Sequence, residues 1–141
     1  MLRTSPFLLF DGNCAEAMSF YHQCLGGALT LSKTGDTPIK DQFPEQKHER
    51  IIYAQLKGDT FDISAADWMA SPVFEPQQGN TTAIYLTGSS YKELKPIFDS
   101  LADGADKNEQ TFMELREVPF GVYGQLTDKY NVSWVFRAEA S

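Results

Sequence analysis

The apolar residues of this chain form short continuous runs and one longer pattern in which they recur every three or four positions. The first run, residues 6–10, begins with proline, which a strand tolerates at its start, and ends in an Asp-Gly turn. Between Asn13 and Gly26 the spacing becomes i, i+3, i+4, i+7 and i+8, which predicts an amphipathic helix. Asn13 and Glu16 have the spacing of a capping box at its start.

Three apolar runs of strand length follow this helix, at residues 28–32, 51–56 and 60–65. A Lys-Gly-Asp connection of hairpin length joins the last two runs. Residues 33–50 are rich in proline, glycine and charge, and they predict a mobile loop outside the core. Residues 67–80 have a similar composition and predict a connector.

The same order of elements then starts again. An apolar run at 82–87 precedes a second amphipathic helix, where Ser90 and Glu93 form another capping-box pattern. Pro96 lies inside this helix, so the helix either kinks there or begins close to it. Three further strands are predicted, at residues 105–109, 122–127 and 132–138.

Both halves therefore consist of strand, helix, strand, strand and strand. We predict an α+β fold of two tandem βαβββ modules, residues 1–66 and 81–141, within one domain and joined by the connector at 67–80. Each helix covers one face of its own strands, and the other faces are expected to form a curved mixed sheet around a cleft. Chance recurrence of common elements is the alternative.

Charge and length exclude several classes of protein. The chain has 141 residues, of which 12 are Lys or Arg and 19 are Asp or Glu, giving a formal charge of -7. That charge opposes binding to nucleic acid, whose affinity comes mainly from basic side chains, and to an anionic membrane surface. No apolar run reaches the length of about 18 residues that a membrane-spanning helix needs. The start of the chain lacks a signal-peptide pattern, so we predict a cytoplasmic protein.

Cys14 and Cys24 agree with that location. Both fall in the first predicted helix, about 15 Å apart at a rise of about 1.5 Å per residue. A disulfide needs Cα atoms within about 7 Å of each other, so we expect two free thiols.

Two separated segments resemble one known family. Residues 7–21, with the sequence FLLFDGNCAEAMSFY, and residues 24–28, CLGGA, are similar to the opening of PhnB-like proteins. Residues 123–134, YGQLTDKYNVSW, are similar to the Thr-Asp turn and final Trp-bearing strand of the same group. PhnB-like proteins belong to the vicinal oxygen chelate superfamily, so the resemblance implies the glyoxalase/bleomycin resistance fold.

The sequence departs from the family pattern at two places. Pro119-Phe120-Gly121 replaces the usual aromatic pair followed by glycine, which is expected to reshape the mouth of the cleft. Asn131 stands where the family usually has glycine. Asparagine tolerates a positive φ better than most residues, so the turn is expected to survive.

Superfamily enzymes typically bind a divalent ion through His, Gln or Glu side chains of the first and last strands of both modules. The resemblance places Pro6, Ile63, Thr82 and Val135 at the corresponding positions of this chain. Proline, isoleucine and valine side chains offer no donor atom, and one threonine hydroxyl is a poor ligand. A shift of the alignment by one residue supplies only Asp62 or Ser64, so we predict no metal at these positions.

Other reactive side chains have structural explanations that we favour. His22 and His48 are expected to be solvated. Cys14 lies in the first helical turn, where thiolate is favoured, but we expect it to be structural rather than a nucleophile. Asp62 and Asp67 are candidates for an acid and base pair in the cleft. A strand-edge charge and a solvated loop end are the favoured interpretations of these two carboxylates.

The remaining candidates line the predicted cleft, where apolar and aromatic side chains with a few polar groups suit a small, partly apolar molecule. The alternative is that several of them fill the cleft or a dimer contact. The ligand-binding candidates are Leu8, Phe10, Tyr53, Gln55, Ile63, Trp68, Ile84, Phe120, Tyr123, Gln125, Ser133 and Val135.

The leading hypothesis is a small-molecule-binding homodimer that uses neither metal nor cofactor. PhnB-like chains are often labelled demethylubiquinone methyltransferases, but no strand here leads through a G-x-G turn into a helix that could seat a cofactor. The first alternative is an enzyme with an atypical metal site or a carboxylate site, which would be a lyase, an isomerase or a transferase. A structural dimer module with a closed cleft is the second.

Overall fold

The computed structural model describes residues 2–70 and 72–139, and the chain divides into two compact units, Met1–Gln77 and Gln78–Ser141. Each unit contains one helix and one four-stranded mixed sheet. The elements of the first unit are β1 (Phe7–Phe10), α1 (Cys14–Leu25), β2 (Ala28–Lys33), β3 (Ile51–Lys57) and β4 (Asp62–Asp67). Those of the second unit are β5 (Ile84–Gly88), α2 (Tyr91–Ala102), β6 (Met113–Val118), β7 (Gly121–Thr127) and β8 (Ser133–Glu139).

The first sheet has the strand order β1-β4-β3-β2. Strand β1 is parallel to β4, whereas β4 with β3 and β3 with β2 are antiparallel. Helix α1 packs on β2, β3 and β4, where Ala54, Leu56 and Ala65 are completely buried. Because paired residues point to the same side of a sheet, these positions define the helix-covered face.

The second sheet repeats this arrangement, with the order β5-β8-β7-β6 and β5 parallel to β8. Its core lies under α2, where the ring of Phe98 meets that of Phe136 edge to face at 5.0 Å. Gly124 lies against β6 and α2 in this core, where a Cβ atom would be 2.9 Å from the Leu115 Cα and 3.1 Å from the Phe98 ring. The repeat and the α+β class predicted from the sequence are confirmed.

The two helices begin in different ways. Helix α1 starts after Asn13, but the Asn13 side chain does not cap it in the part of the chain described here. Helix α2 is capped by Ser90 as predicted: the Glu93 N–H donates to the Ser90 hydroxyl at 3.2 Å. The Glu93 carboxylate accepts from the N–H of Ser89 at 2.7 Å, one residue before the cap, so the reciprocal bond is a variant of the capping box. The helix runs from Tyr91 with Pro96 inside, so a start close to Pro96 is wrong.

One strand prediction and one loop prediction are wrong. Residues 105–109 do not form a strand, since the polar stretch around Asn108 turns instead, with the Gln110 N–H bound to the Asn108 side chain at 2.9 Å. The strand lies later, at Met113–Val118, where Leu115 supplies the buried contact. Residues 33–50 are not outside the core throughout, because they contain three short 3-10 helices and Thr34 is completely buried.

No helix within residues 2–70 and 72–139 is both long enough and apolar enough to cross a membrane.

Candidate functional site

The pairing of β5, β7 and β8 decides which side chains of the second sheet point away from α2. Trp134 and Phe136 are buried and pair with Ile84 and Leu86, so these four residues lie on the helix-covered face. The residues between them lie on the opposite surface, which we call the helix-free face of the second sheet. On these three strands it carries Tyr85, Thr87, Tyr123, Gln125, Thr127, Ser133, Val135, Arg137 and Glu139.

Arg137 lies on this face between Thr87 on β5 and Tyr123 on β7. Its guanidinium carbon is 5.0 Å from the centre of the Phe120 ring, a cation–π contact made from the turn between β6 and β7. The Nε atom of Arg137 is buried, and it has no hydrogen-bond partner among residues 2–70 and 72–139. A buried donor without an acceptor is rare in folded proteins, so this atom marks the position as unusual.

A depression of about 510 Å³ opens beside Arg137. This volume lies within the range of roughly 300–1,000 Å³ that small-molecule sites occupy. Tyr85, 59% exposed, forms one wall, and Glu139 brings one carboxylate to the same depression. The full lining is Tyr85, Thr87, Gly88, Ser89, Arg137, Ala138 and Glu139.

Polar groups continue along the helix-free face beyond the depression. The Tyr123 hydroxyl donates to the Gln125 side-chain oxygen at 3.0 Å, and the hydroxyls of Thr127 and Ser133 lie 3.1 Å apart. These bonds hold the side chains in one arrangement while leaving each hydroxyl further capacity to accept or donate.

A second guanidinium belongs to the same face. Arg116 on β6 pairs with Tyr123, which pairs in turn with Arg137 on β8. Arg116 is exposed and Arg137 is half-buried. Neither of them forms an ion pair with any residue in the described ranges.

The sequence candidates of the second unit fall on both sides of its sheet. Tyr123, Gln125, Ser133 and Val135 lie on the helix-free face, and Phe120 lies at its edge. Ile84 lies on the helix-covered face, which corrects its expected position on the cleft floor. Whether the other five contact a ligand stays a prediction. Sequence reasoning missed Tyr85 and Arg137, although the alternation that selected Ser133 and Val135 reaches Arg137 at the next step.

Three candidates of the first unit require the same correction. Ile63 pairs with Leu56 and is 3% exposed, Leu8 pairs with the buried Ala65, and Phe10 is buried. They lie on the helix-covered face, in or beside the core, rather than on a cleft floor. In strand β1 it is Phe7 and Leu9, 56% and 45% exposed, that point away from α1.

The other first-unit candidates are exposed or half-buried. Tyr53 is exposed, and Gln55 donates to the two carboxylate oxygens of Asp62 at 3.1 and 3.3 Å. Both lie on the side of the first sheet that α1 does not cover. The Trp68 indole donates to the backbone oxygen of Phe74 at 2.8 Å, which ties Trp68 to the segment after β4.

Asp62 and Asp67 do not form an acid and base pair. Asp67 is 2% exposed, and its carboxylate accepts the backbone N–H groups of Gly12, Cys14 and Ile51 at 2.9, 3.0 and 2.9 Å. Its interpretation as a solvated loop end is therefore wrong. Five positions separate it from Asp62 in one strand, so the two side chains leave opposite faces of the sheet.

The remaining reactive side chains are held in structural contacts or exposed. Cys14 is completely buried, and burial together with the nearby negative charge of Asp67 raises the pKa of its thiol to about 12. A thiol with that pKa is a poor nucleophile at neutral pH. Neither Cys14 nor Cys24 forms a disulfide among the described residues. His22 is exposed as expected, whereas the His48 ring lies 2.9 Å from the Lys40 carbonyl and is not merely solvated.

The residues present do not fit a metal of the superfamily type. No group of three or more His, Cys, Asp or Glu side chains within residues 2–70 and 72–139 is placed to hold an ion. Ile63 is buried under α1, and Val135 lies between Ser133 and Arg137 on its strand. A guanidinium cannot act as a ligand, because it carries no free lone pair and repels a cation.

Comparison with known proteins places this architecture in a family. A family model described as 3-demethylubiquinone-9 3-methyltransferase matches residues 3–136. Protein YjdN from Escherichia coli strain K12 is 28% identical over 144 residues, covering 93% of this chain and 91% of that protein. Protein PA1353 from Pseudomonas aeruginosa has a solved structure that superposes with a TM-score of 0.84 at 30% identity and covers 100% of both chains.

More distant structures define the wider class. A structure from Bacillus cereus, described as a PhnB protein and putative 3-demethylubiquinone-9 3-methyltransferase, has a TM-score of 0.71 at 22% identity and covers 97% of this chain and 99% of its own. A glyoxylase/bleomycin resistance protein/dioxygenase domain from Frankia sp. EAN1pec has a TM-score of 0.65 at 16% identity, with 100% and 94% covered. The fold is therefore that of the glyoxalase/bleomycin resistance/dioxygenase superfamily.

The chain belongs to the PhnB-like family, whose model carries the 3-demethylubiquinone-9 3-methyltransferase description. The resemblance found in residues 7–28 and 123–134 is thereby confirmed. Membership defines the fold and the ancestry, but one scaffold of this kind hosts many unrelated activities.

Proposed function

We propose that this chain binds a small molecule on the helix-free face of its second sheet. The observation that carries the proposal is the depression of about 510 Å³ between Tyr85 and Arg137. Tyr85 and Phe120 are 59% and 54% exposed, which is unusual for two large aromatic rings close to one charged side chain. Tyr85 lines the depression and Phe120 lies against the guanidinium of Arg137, and aromatic surface beside a few polar groups is typical of small-molecule sites.

The arrangement of the acidic and polar side chains favours ligand binding over acid–base catalysis. Asp62 and Asp67 leave opposite faces of the first sheet, and the carboxylate of Asp67 already accepts three backbone N–H groups. The polar groups around the depression are a guanidinium, hydroxyls and the Glu139 carboxylate. This set can position a ligand by charge and hydrogen bonds, and the homodimer expected from the family resemblance is an additional part of the proposal.

Thermal-shift screening against a library of metabolites and antibiotics tests the proposal, because a ligand that binds only the folded state raises Tm. Each compound that raises Tm is then titrated by isothermal titration calorimetry into wild type, Tyr85→Ala and Phe74→Ala. Phe74 is the matched control, since it is an exposed aromatic of the segment after β4. We expect weaker binding to Tyr85→Ala alone.

Two results would contradict the proposal. The first is a library in which no compound raises Tm. The second is a set of ligands whose affinity is the same for wild type and Tyr85→Ala, with chemical shift changes outside β5, β7 and β8 in NMR spectra. Sedimentation velocity on the same sample tests the homodimer separately.

The description of the family model favours a second candidate, methyl transfer to a demethylated quinone. No strand of the described chain leads through a G-x-G turn into a helix, the arrangement that seats a nucleotide-like cofactor on backbone amides. Calorimetry with S-adenosylmethionine tests this candidate, and saturable binding would favour it over simple ligand binding.

A further inference from the structure

We infer that the molecule bound on this face carries an anionic group, a carboxylate or a phosphonate, which Arg137 and Arg116 hold together. The inference rests on the proposed function and adds the chemical class of the ligand. It comes from two guanidinium groups on one face of the second sheet and from the unpaired Nε donor of Arg137.

Arg137 differs from the other half-buried cations of the described residues. Arg50 and Lys95 are also half-buried, and both of them form ion pairs. Arg137 is half-buried, yet within residues 2–70 and 72–139 it has neither an ion pair nor an acceptor for its Nε–H. A guanidinium offers five N–H donors in a rigid fork that matches a carboxylate or phosphonate.

Arg116 brings a second positive charge to the same surface. It pairs with Tyr123 on one side of β7, and Arg137 pairs with Tyr123 on the other side. Neighbouring strands are about 4.8 Å apart, so the two arginine Cα atoms lie about 10 Å from each other. Arginine side chains are long enough to converge on one small anion across that distance. Two like charges without acids between them otherwise repel, and an anion removes that cost.

Neutral groups beside the arginines complete the site. Thr87 pairs with Arg137 from β5 and supplies a hydroxyl donor to the depression. The Phe120 ring lies 5.0 Å from the guanidinium carbon, a cation–π contact that stabilises this position of Arg137 and uses none of its N–H groups as hydrogen-bond donors to a carboxylate. Tyr85 offers an apolar surface for the rest of the molecule. An aryl or alkyl carboxylate or phosphonate satisfies all of these groups.

The acidic side chain of the depression is Glu139, two residues beyond Arg137 on the same face. It is exposed, and it forms no ion pair with Arg137 in the described ranges. Its charge weakens anion binding without cancelling two guanidinium groups, because solvent screens an exposed carboxylate.

Calorimetric titration with three probes tests the inference. Benzoate and phenylphosphonate carry the two candidate anions on the same ring, and benzamide is their neutral counterpart. The proteins are wild type, Arg137→Gln, Arg137→Lys, Arg116→Gln and Lys92→Gln. Lys92 is exposed on α2, so Lys92→Gln makes the same change in net charge away from the helix-free face.

We expect both anions to bind wild type more tightly than benzamide, and added sodium chloride to weaken them. Arg137→Gln should lower their affinity by roughly tenfold or more, as for the loss of hydrogen bonds to a charged group. Arg116→Gln should have a smaller effect of about threefold, because that side chain is exposed. Lys92→Gln should bind as wild type does, and Arg137→Lys should retain part of the affinity. Whichever anion binds more tightly identifies the class.

Benzamide binding as tightly as both anions would overturn the inference, and so would equal affinity of Arg137→Gln and wild type. In either case small-molecule binding on this face would stand. If none of the three probes binds while uncharged library compounds still raise Tm, the inference of an anionic ligand is wrong and the proposal of small-molecule binding stands. Failure of every probe and every library compound would end the proposed function itself. If Arg137→Gln does not fold, Arg137→Lys and the comparison of probes decide the outcome.

Discussion

The carboxylate of Asp67 accepts a hydrogen bond from the backbone N–H of Cys14 at 3.0 Å, across 53 positions of sequence. The same carboxylate accepts the N–H groups of Gly12 and Ile51. The last residue of β4 therefore holds the start of α1 and the start of β3. It takes the place of the Asn13 cap that the sequence suggests, because a buried anion satisfies orphan N–H groups better than a neutral side chain.

Replacement of Asp67 by Asn should lower the free energy of unfolding by about 2 kcal/mol, since hydrogen bonds to a charged group are lost and one amide nitrogen faces an N–H donor. Urea denaturation measures the change. Asp59→Asn is the control, because Asp59 lies exposed in the turn between β3 and β4. Equal stability of the two variants would show that the Asp67 carboxylate does not organise the unit.

Cys14 should be protected from thiol reagents in the native protein. Burial and the charge of Asp67 raise the pKa of its thiol to about 12, whereas Cys24 is half-buried. Iodoacetamide at mildly alkaline pH should therefore label Cys24 alone, and mass spectrometry of peptides should find Cys14 labelled only after denaturation. Rapid labelling of Cys14 in the folded Cys24→Ser variant would contradict this expectation.

The same pKa predicts how stability depends on pH. The folded value lies above the unfolded value of about 9, so the contribution of Cys14 is fully present below about pH 9 and is lost as pH rises toward 12. Between neutral pH and about pH 10, the free energy of unfolding of the wild type should fall by about 1 kcal/mol more than that of Cys14→Ala. Denaturation curves of both proteins at the two pH values measure this change. If the two proteins differ in stability by the same amount at both pH values, the pKa of the Cys14 thiol is not raised by folding.

Asn131 has a φ of 66°, as its position in the family turn predicted. Asn131→Gly should preserve stability, whereas Asn131→Val should lower it by about 1–2 kcal/mol because a β-branched residue is strained in this region. The turn itself is organised by Asp128, which accepts the N–H of Val132 at 3.1 Å and the indole N–H of Trp134 at 2.8 Å. Thermal unfolding followed by circular dichroism compares Asn131→Gly with Asn131→Val. Equal Tm values would show that valine is not strained at this position.

Glu139→Gln should raise the affinity for benzoate by roughly twofold, because it removes the carboxylate that shares the depression with Arg137 and the pair is screened by solvent. The gain should shrink as sodium chloride is added. Glu109→Gln is the control of equal charge, since Glu109 is an exposed residue between α2 and β6. A gain of the same size in both variants would assign it to net charge rather than to this site.

The sequence predicted the elements better than it predicted their faces. Helix α1 was placed correctly because its apolar spacing and terminal glycines are local signals. Residues 7–10, FLLF, have no alternation, so nothing in them selects Leu8 or Leu9 for the core. Parallel pairing of Leu8 with Ala65 makes that choice, and it joins strands that are more than fifty residues apart. Strand β6 was missed because its residues, MELREV, carry little apolar alternation.

Local chemistry along the chain was enough to determine the repeated βαβββ order, the capping box of α2, the turn at Asn131 and the kinship with PhnB-like proteins. These features depend on residues close together in sequence, where spacing and backbone preference act directly. Only the tertiary structure decided that Asp67 is buried and that Arg116, Tyr123 and Arg137 share one surface. The physical reason is strand register: one step of pairing moves every side chain to the other face, and contacts distant in sequence set that step.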